Sequence, residues 1–286
     1  MMPRLANYYV VPLVLLPAAA TIYGIVQLFT GSVGIYEIVM MLALGALTEF
    51  GVTFGYHRMV VHKAFTAHPI LKAIVLAFGS MAFQGPVINW ASVHTKHHAM
   101  SDQEGDPHTP TFRGFIFAHF EWLIEMTSTD MAAIRSKYES RYTKDPMLVW
   151  FDKTFLLWSA FSLILPFLLG GWQGLLWGGL IRIFLTSHVT WSVNSVCHIV
   201  GGRMFKTTDQ SRNNFIVGLL ALGEGWHNNH HAFPSSAFHG LRWWQIDITA
   251  YMIRIFEKVG LVSGVVRIPT AYLSRQIALA QDKEAP

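Results

Sequence analysis

Residues 9 to 29, YVVPLVLLPAAATIYGIVQLF, contain no charged side chain. An uninterrupted run of that kind must be buried all round or face lipid, and its length matches the roughly 20 residues a helix needs to cross the hydrocarbon. A cleaved signal peptide is the competing reading, with Arg4 in front and the alanines after Pro17 as a cleavage site. The run continues too far past that point for an apolar region of roughly 7–15 residues. Three more runs of similar length follow at 33–54, 155–172 and 175–197, the second carrying Glu37 and Glu49. Charged residues make up only 13% of the chain, against about 25% in a soluble domain. The expectation is an all-α integral membrane protein with four transmembrane helices, paired as two hairpins through TGSVG (30–34) and GGWQG (170–174).

The charges assign the sides. Arg4 precedes the first span, Arg182 lies within the fourth, and the other Lys and Arg fall in 58–153 and 199–286. Neither short turn contains one, so the positive-inside rule puts both termini and the middle segment in the cytoplasm. A single domain over 1–286 is expected, with spans near 9–29, 33–54, 155–172 and 175–197 and a cytosolic helical cap from 57–153 and 198–286. Stretch 70–92 has apolar length but is interrupted by Lys72, Gln84, Asn89 and a Gly-Pro break. It reads as one or two helices lying against the membrane or dipping into it. The last residues, QDKEAP, read as a loose tail. One cysteine, Cys197, excludes an internal disulfide, and no Lys/Arg block suggests a nucleic-acid surface.

Fourteen histidines are the anomaly. Nine fall into four groups: GYHRMVVH (His57, His62), VHTKHH (His94, His97, His98), NSVCH (His198) and WHNNHH (His227, His230, His231). On the topology above, all four can converge on one cytoplasmic layer. In H-x-x-H-H the last two imidazoles straddle the line through the first, so one helix can serve two adjacent metals. Two such segments would clamp a dinuclear centre. His57 and His62 lie about 140° apart on an ideal helix; they share a site only if the helix ends or distorts between them, or if each reaches a different metal. Asn194, one turn before His198, could approach a metal directly or through a water. His68, His108, His119, His188 and His239 have no partner at ligand spacing and read as structural or hydrogen-bonding. Glu49, Glu224, Asp102, Glu104 and Asp106 read as solvated or as supports for the ligands.

Nine imidazoles are too many for one tetrahedral zinc, and they suit iron, zinc, copper or nickel. Carboxylate-rich di-iron bundles use two Glu-x-x-His pairs, and this chain has only Glu224–His227 at that spacing. A histidine-dominated di-iron centre at the membrane surface is the economical reading. A His-rich membrane metal carrier is the reading from a different class, although transporter sites tend to lie near the midplane.

At these residues the chain resembles the membrane-bound fatty acyl desaturases, of the Δ9 acyl-CoA (stearoyl-CoA) type. MAFQGPVINWASVHTKHH and SDQEGDPH resemble the family's second histidine box and its surroundings. TWSVNSVCH is similar to its fourth-helix signature, and WHNNHHAFP with RWWQIDITAYMIRIFEKVGL to its C-terminal stretch. The resemblance covers roughly 35 to 262. Thr95 stands where the second box commonly carries Arg, and no fused cytochrome domain is present. The resemblance implies two iron ions held by His57, His62, His94, His97, His98, His198, His227, His230 and His231, with a water on Asn194. It further implies O₂ as co-substrate and a bent acyl tunnel with Gln84, Trp90, Thr190 and Trp191 at its kink. The substrate would be a long-chain acyl-CoA or acyl-lipid, and electrons would come from a separate ferredoxin- or cytochrome-type protein.

Related iron chemistry with another substrate pose would give a hydroxylase or an alkene-forming decarboxylase. Arg113, Arg135, Lys137, Arg141 and Arg203 are available for an anionic head group, and Tyr36, Met40 and Leu44 for the tunnel's far end. Short termini favour a bacterial inner membrane over an endoplasmic reticulum.

Overall fold

Apolar length becomes helix wherever the sequence analysis placed a span. The structure, a computed structural model, describes residues 11–281. Arg4, residues 9–10 of the first span and residues 282–286 of the expected tail lie outside them. Helix α1 (Leu16–Thr30) ends at Gly31, whose φ of +66° closes the turn into the next leg. Helix α2 (Ile35–Phe50) starts with the Gly34 amide donating to the Glu37 carboxylate at 3.1 Å. Glu37 is thus a cap and not a misplaced charge. The same rod runs on through a π-helical stretch, Gly51–Val61, giving 27 residues from Ile35 to Val61.

Neither helix of the 70–92 region is long enough to cross. Helix α3 (Pro69–Met81) and helix α4 (Val87–Met100) are separated by a break around Gly85 (φ +93°). A Cβ added to Gly51 would sit 2.1 Å from the Gly79 amide nitrogen, so the α2 rod and α3 touch backbone to backbone. Helix α5 (Ser128–Tyr138) packs over α4.

Three stretches are long and apolar enough to cross a membrane: Leu13–Thr30, Ile35–Val61 and the 44 residues Phe155–His198. The last contains both expected later spans. Helix α6 (Phe155–Gly174) leaves helical geometry at Gly170 and Gly171, and Gly178 and Gly179 come back against Pro166 and Leu163. The return leg passes through π-helical Leu175–Ile181 into helix α7 (Arg182–Ser195). The Arg182 guanidinium, 1% exposed, ties the legs together. It donates to Ser162 Oγ (2.6 Å) on α6, the Met81 carbonyl (3.1 Å) ending α3 and the Gly178 carbonyl (3.0 Å). The outward faces stay apolar: Ile22, Phe29, Leu156, Leu168 and Trp172 are exposed, as a lipid-facing surface requires.

The cap completes the chain with helix α8 (His227–Ala232), helix α9 (Ile248–Lys258) and one two-residue antiparallel ladder, Thr66–Ala67 on Val262–Ser263. Its core, including Phe54, Tyr56, Leu76, Tyr142 and Ile253, sits beside the π-helical stretch.

Candidate metal centre and acyl cavity

A π turn bonds residue i+5 to residue i. The His62 amide donates to the His57 carbonyl at 3.1 Å in that pattern. Of the arrangements that the five-residue spacing left open, the distorted helix is the one present, and the two ring centroids lie 4.6 Å apart. Helix α4 supplies His94, His97 and His98; the 3-10 turn Val196–His198 supplies His198; α8 supplies His227, His230 and His231.

These nine side chains sort into two groups. Nε2 atoms of His57, His62, His94, His98 and His230 form a closed ring. Its successive separations are 3.1, 3.2, 3.0, 3.0 and 3.2 Å. His97, His198, His227 and His231 form the second group, with His227 and His198 Nε2 3.1 Å apart. Each H-x-x-H-H keeps its i and i+4 residues together and sends i+3 to the other group.

Carboxylates behind the rings fix which nitrogen faces inward. His97 Nδ1 donates to Asp106 at 3.0 Å, His198 Nδ1 to Asp102 at 2.7 Å, and His231 Nδ1 to Asp209 at 2.7 Å. Glu224 lies 2.8 Å from His57 Nδ1 and 3.0 Å from His239 Nδ1, and it accepts from Arg58 Nε at 3.0 Å. Arg58 also reaches Asp247 at 3.0 Å. With the hydrogen on Nδ1, each Nε2 presents a lone pair. His97 Nε2 and His231 Nε2 are buried and have no hydrogen-bond partner.

The electrostatics agree. Burial, reinforced by neighbouring imidazoles, holds His62, His94, His98, His227 and His230 well below the ordinary histidine range. Burial also takes His231 down to about 4. His97 is the exception: burial opposes its imidazolium, but Asp106 outweighs it and raises the group. Burial likewise opposes ionisation of Asp102 and Asp209, yet hydrogen bonds from His198 and His231 keep both below the usual carboxylate range.

A cation suits this donor set. Metal–nitrogen bonds of about 2.1 Å at right angles separate two nitrogens by about 3.0 Å, as the ring's edges do. Buried lone pairs aimed at a common centre are costly without a cation. Neutral imidazoles oriented by outer carboxylates are the usual arrangement around bound metal.

Beside the groups lies a largely apolar cavity of about 480 Å³. Its wall includes His57 and His94 from one group and His227 from the other. The expected kink residues Gln84, Trp90, Thr190 and Trp191 all line it, as does Asn194, and Trp90 stacks on His94. Tyr36, Met40 and Leu44 do not line it. Tyr36 donates to the Leu169 carbonyl and Met40 packs against Gly170 and Gly178, because that face of α2 is covered by the returning hairpin. Nor do the five basic residues line it. Arg113 pairs with Glu125, and Arg203 binds its own loop at Thr207 and Asp209. Only Arg135 touches the wall, through Asn89 at 2.5 Å, while also pairing with Glu139 and Asp152.

The remaining histidines find partners in space rather than in sequence. His68 caps α3, and His108 sits beside His97 over Asp106, where burial pushes it down to about 3. His239 meets Glu224, and His119 bonds His188 and Ser195 at 2.8 Å each. Of the acidic candidates, Asp102, Asp106 and Glu224 stand behind ligands, Glu49 lines the cavity, and Glu104 is exposed. Thr95 turns away from the centre to Tyr142 at 2.5 Å. His239 has the hydrogen-bonding role expected of it, whereas nothing in the sequence analysis points to Asp209, Arg58 or Asp247. Only Asp209 carried a local signal, a TTDQS turn in which its side chain caps Ser211.

The sequence pattern of the fatty acid desaturases matches residues 35–262. The chain belongs to this family. Among its relatives, the hex-5-enoyl-[acyl-carrier protein] acetylenase of Moorena producens (strain JHB) is 35% identical, covering 93% of this chain and 87% of that protein. Delta-9 acyl-lipid desaturase 2 of Arabidopsis thaliana is 40% identical over 81% of this chain and 75% of its own length. The acyl-CoA C20 Delta5-desaturase of Anemone leveillei is 37% identical over 80% and 73%. The desaturase is thus a membrane oxidoreductase acting on acyl chains, which removes the metal-carrier reading, and its histidine groups could hold metal.

Proposed function

We propose that this desaturase introduces a cis double bond, of Δ9 type, into a long-chain acyl-CoA or acyl-lipid. Two iron ions would be held by the five-nitrogen and four-nitrogen groups, with Asn194 positioning a water beside the second. Bound there, iron supplies the O₂-activating two-electron chemistry that unactivated methylenes require. The carrying observation is the cavity: one apolar space runs past His57, His94 and His227, so a chain lying in it passes both groups. Its shape selects the bond by position. Trp90 and Trp191 hold the chain, and the buried surroundings exclude bulk water. Asp102, Asp106, Asp209 and Glu224 keep the Nδ1 protons outward and the lone pairs inward.

Electrons would come from a separate ferredoxin- or cytochrome-type protein. The proposed topology is a single domain with four crossings, the 44-residue stretch supplying two, and with both termini cytoplasmic in a bacterial inner membrane. The Δ9 assignment draws on the Arabidopsis relative's name; the acetylenase relative supports a second reading, further dehydrogenation of an existing double bond. Expression in a host lacking desaturation, with donor supplied and products profiled by mass spectrometry, separates these outcomes. A hydroxylated or chain-shortened product, or none, refutes the main reading.

A further inference from the structure

The acyl cavity is largely apolar, and one of its polar places lies between α2 and α7. Glu49 on α2 and Thr190 on α7 meet there, Thr190 Oγ1 lying 3.3 and 3.5 Å from the two carboxyl oxygens. Ser187, three residues before Thr190 on the same helix, presents its side to the same cavity. Its hydroxyl is buried, the residue being 1% exposed, and has no hydrogen-bond partner. Thr53 and Ser159 in the same wall are occupied, Thr53 bonding Thr249 at 2.9 Å and Ser159 the Phe155 carbonyl at 3.0 Å, whereas the Trp122 indole nitrogen is, like Ser187, buried without a partner. Glu49 has one side-chain partner for its two oxygens, and neither it nor Ser187 contacts the histidine groups.

Two helices independently give the depth of this patch. Glu49 precedes His57 by eight residues, and Ser187 precedes Asn194 by seven. At about 1.5 Å per residue both spacings put it roughly 10 Å from the metal groups. A plain alkyl chain laid over the patch would leave a buried hydroxyl and carboxyl unsatisfied, which is unfavourable. An oxygen placed there would be held by two or three hydrogen bonds.

We propose that Glu49, Ser187 and Thr190 form a polar seat for an oxygen of the acyl substrate, fixing that oxygen's distance from the bond that is oxidised. The proposal rests on the acyl cavity described above. The oxygen has two possible sources, the acyl carbonyl or a hydroxyl on the chain: either can accept from Ser187 and from the acid form of Glu49, and the hydroxyl can in addition donate to Glu49.

Binding tests the seat without turnover. Octadecane, methyl octadecanoate and methyl 18-hydroxyoctadecanoate compete with radiolabelled methyl octadecanoate for the full-length protein in nanodiscs. Wild type, Ser187→Ala and the near-isosteric Thr190→Val are compared, with Glu49→Leu and the hydrogen-bonding Glu49→Gln. If the carbonyl is seated, methyl octadecanoate binds about tenfold tighter than octadecane, and Ser187→Ala and Glu49→Leu abolish that margin. If a chain hydroxyl is seated, the hydroxy ester holds the tenfold margin over the plain ester and loses it in the same variants. Glu49→Gln retains most of it in either case. Equal binding of the three ligands to wild type, or margins unchanged in Ser187→Ala and Thr190→Val, overturns the seat. A wild type that discriminates these ligands yet makes no double bond sinks the desaturase reading and leaves the seat standing.

Discussion

Replacing Asp209 by Asn changes one atom and inverts one histidine. Asp209 Oδ1 accepts from Thr207 Oγ1 (2.8 Å), Ser211 N (3.0 Å) and Ser211 Oγ (2.5 Å), while Oδ2 accepts from His231 Nδ1 at 2.7 Å. The donors around Oδ1 require an acceptor, so an asparagine would place its carbonyl oxygen there and turn its NH₂ towards His231. His231 must then offer a lone pair at Nδ1 and carry its hydrogen at Nε2, pointing into the four-nitrogen group. Loss of an outer carboxylate alone costs roughly 10–100-fold in metal affinity, about 1.4–2.7 kcal/mol. Alanine leaves room for a water to accept the Nδ1 hydrogen, so it should be the milder change. The expected order of metal retention is wild type, Asp209→Ala, then Asp209→Asn, measured as metal per chain after graded chelator treatment. Asp209→Asn should drift towards one metal per chain, because the five-nitrogen group has no contact with Asp209. An asparagine variant that holds metal as well as wild type, or better than the alanine variant, would refute the tautomer reasoning.

Other expectations follow from the same contacts. Arg58→Met leaves Glu224 and Asp247 buried without their guanidinium; breaking such a network costs about 3–5 kcal/mol, to be read as a large fall in unfolding temperature in detergent. The metal-free protein should lose stability as pH falls below 6.5. His62, His94, His98, His227 and His230 are held well below that value in the fold, so the unfolded chain takes up protons that the folded one refuses. His97, raised in the fold, works in the opposite sense, but the lowered groups outnumber it. Unfolding midpoints of chelator-treated protein at pH 7.5 and 5.5 check the sign, and a higher midpoint at 5.5 counts against it. Arg182→Leu removes the guanidinium donor from Ser162 Oγ and from the Gly178 and Met81 carbonyls, the last keeping its bond from Ser162 Oγ; at about 1–3 kcal/mol for a buried unsatisfied group, it should lower the unfolding temperature without altering the metal content of the folded fraction.

The spans and the nine histidines were legible because both signals are local: apolar length, and ligand spacing along one helix. The sorting of histidines into groups was half legible. On α4, His94 lies 40° from His98 and 60° from His97, so H-x-x-H-H divides between two centres, but only the three-dimensional contacts show that i stays with i+4. The His57–His62 spacing left a distortion open, and nothing in GVTFGYHRMVV identifies it as a π-helix. The outer layer was hidden for a different reason. Asp209 lies 22 residues before His231 and Asp247 lies 189 after Arg58, and sequence spacing carries no information about contacts made across the fold. Met40 packs under the returning hairpin and does not line the cavity, and a helix face covered in that way has the same composition as one lining a cavity.

Two glycines behave differently, Gly51 on the rod that carries Glu49 and His57 and Gly171 at the break in α6. At Gly51 the constraint is space: a Cβ would stand 2.1 Å from the Gly79 nitrogen and 2.5 Å from the Phe78 carbonyl carbon, both backbone atoms that cannot rotate away. Gly51→Ala must therefore push α3 from the α2 rod at the start of the π-helical stretch, and His57 moves with it. The cost should reach or exceed the top of the roughly 1–3 kcal/mol range for overpacking. At Gly171 nothing lies within 4 Å of an added Cβ, and the constraint is its φ of +58° with a ψ of −143°; alanine there should cost about 1–3 kcal/mol through conformation alone. Gly171→Ala should lower the unfolding temperature modestly and leave metal content intact. Gly51→Ala should lower it further and release metal from the five-nitrogen group, whose ring needs His57 and His62 Nε2 side by side at 3.1 Å. Equal losses in the two variants, with metal retained in both, would show that the contact between α2 and α3 does not position the centre.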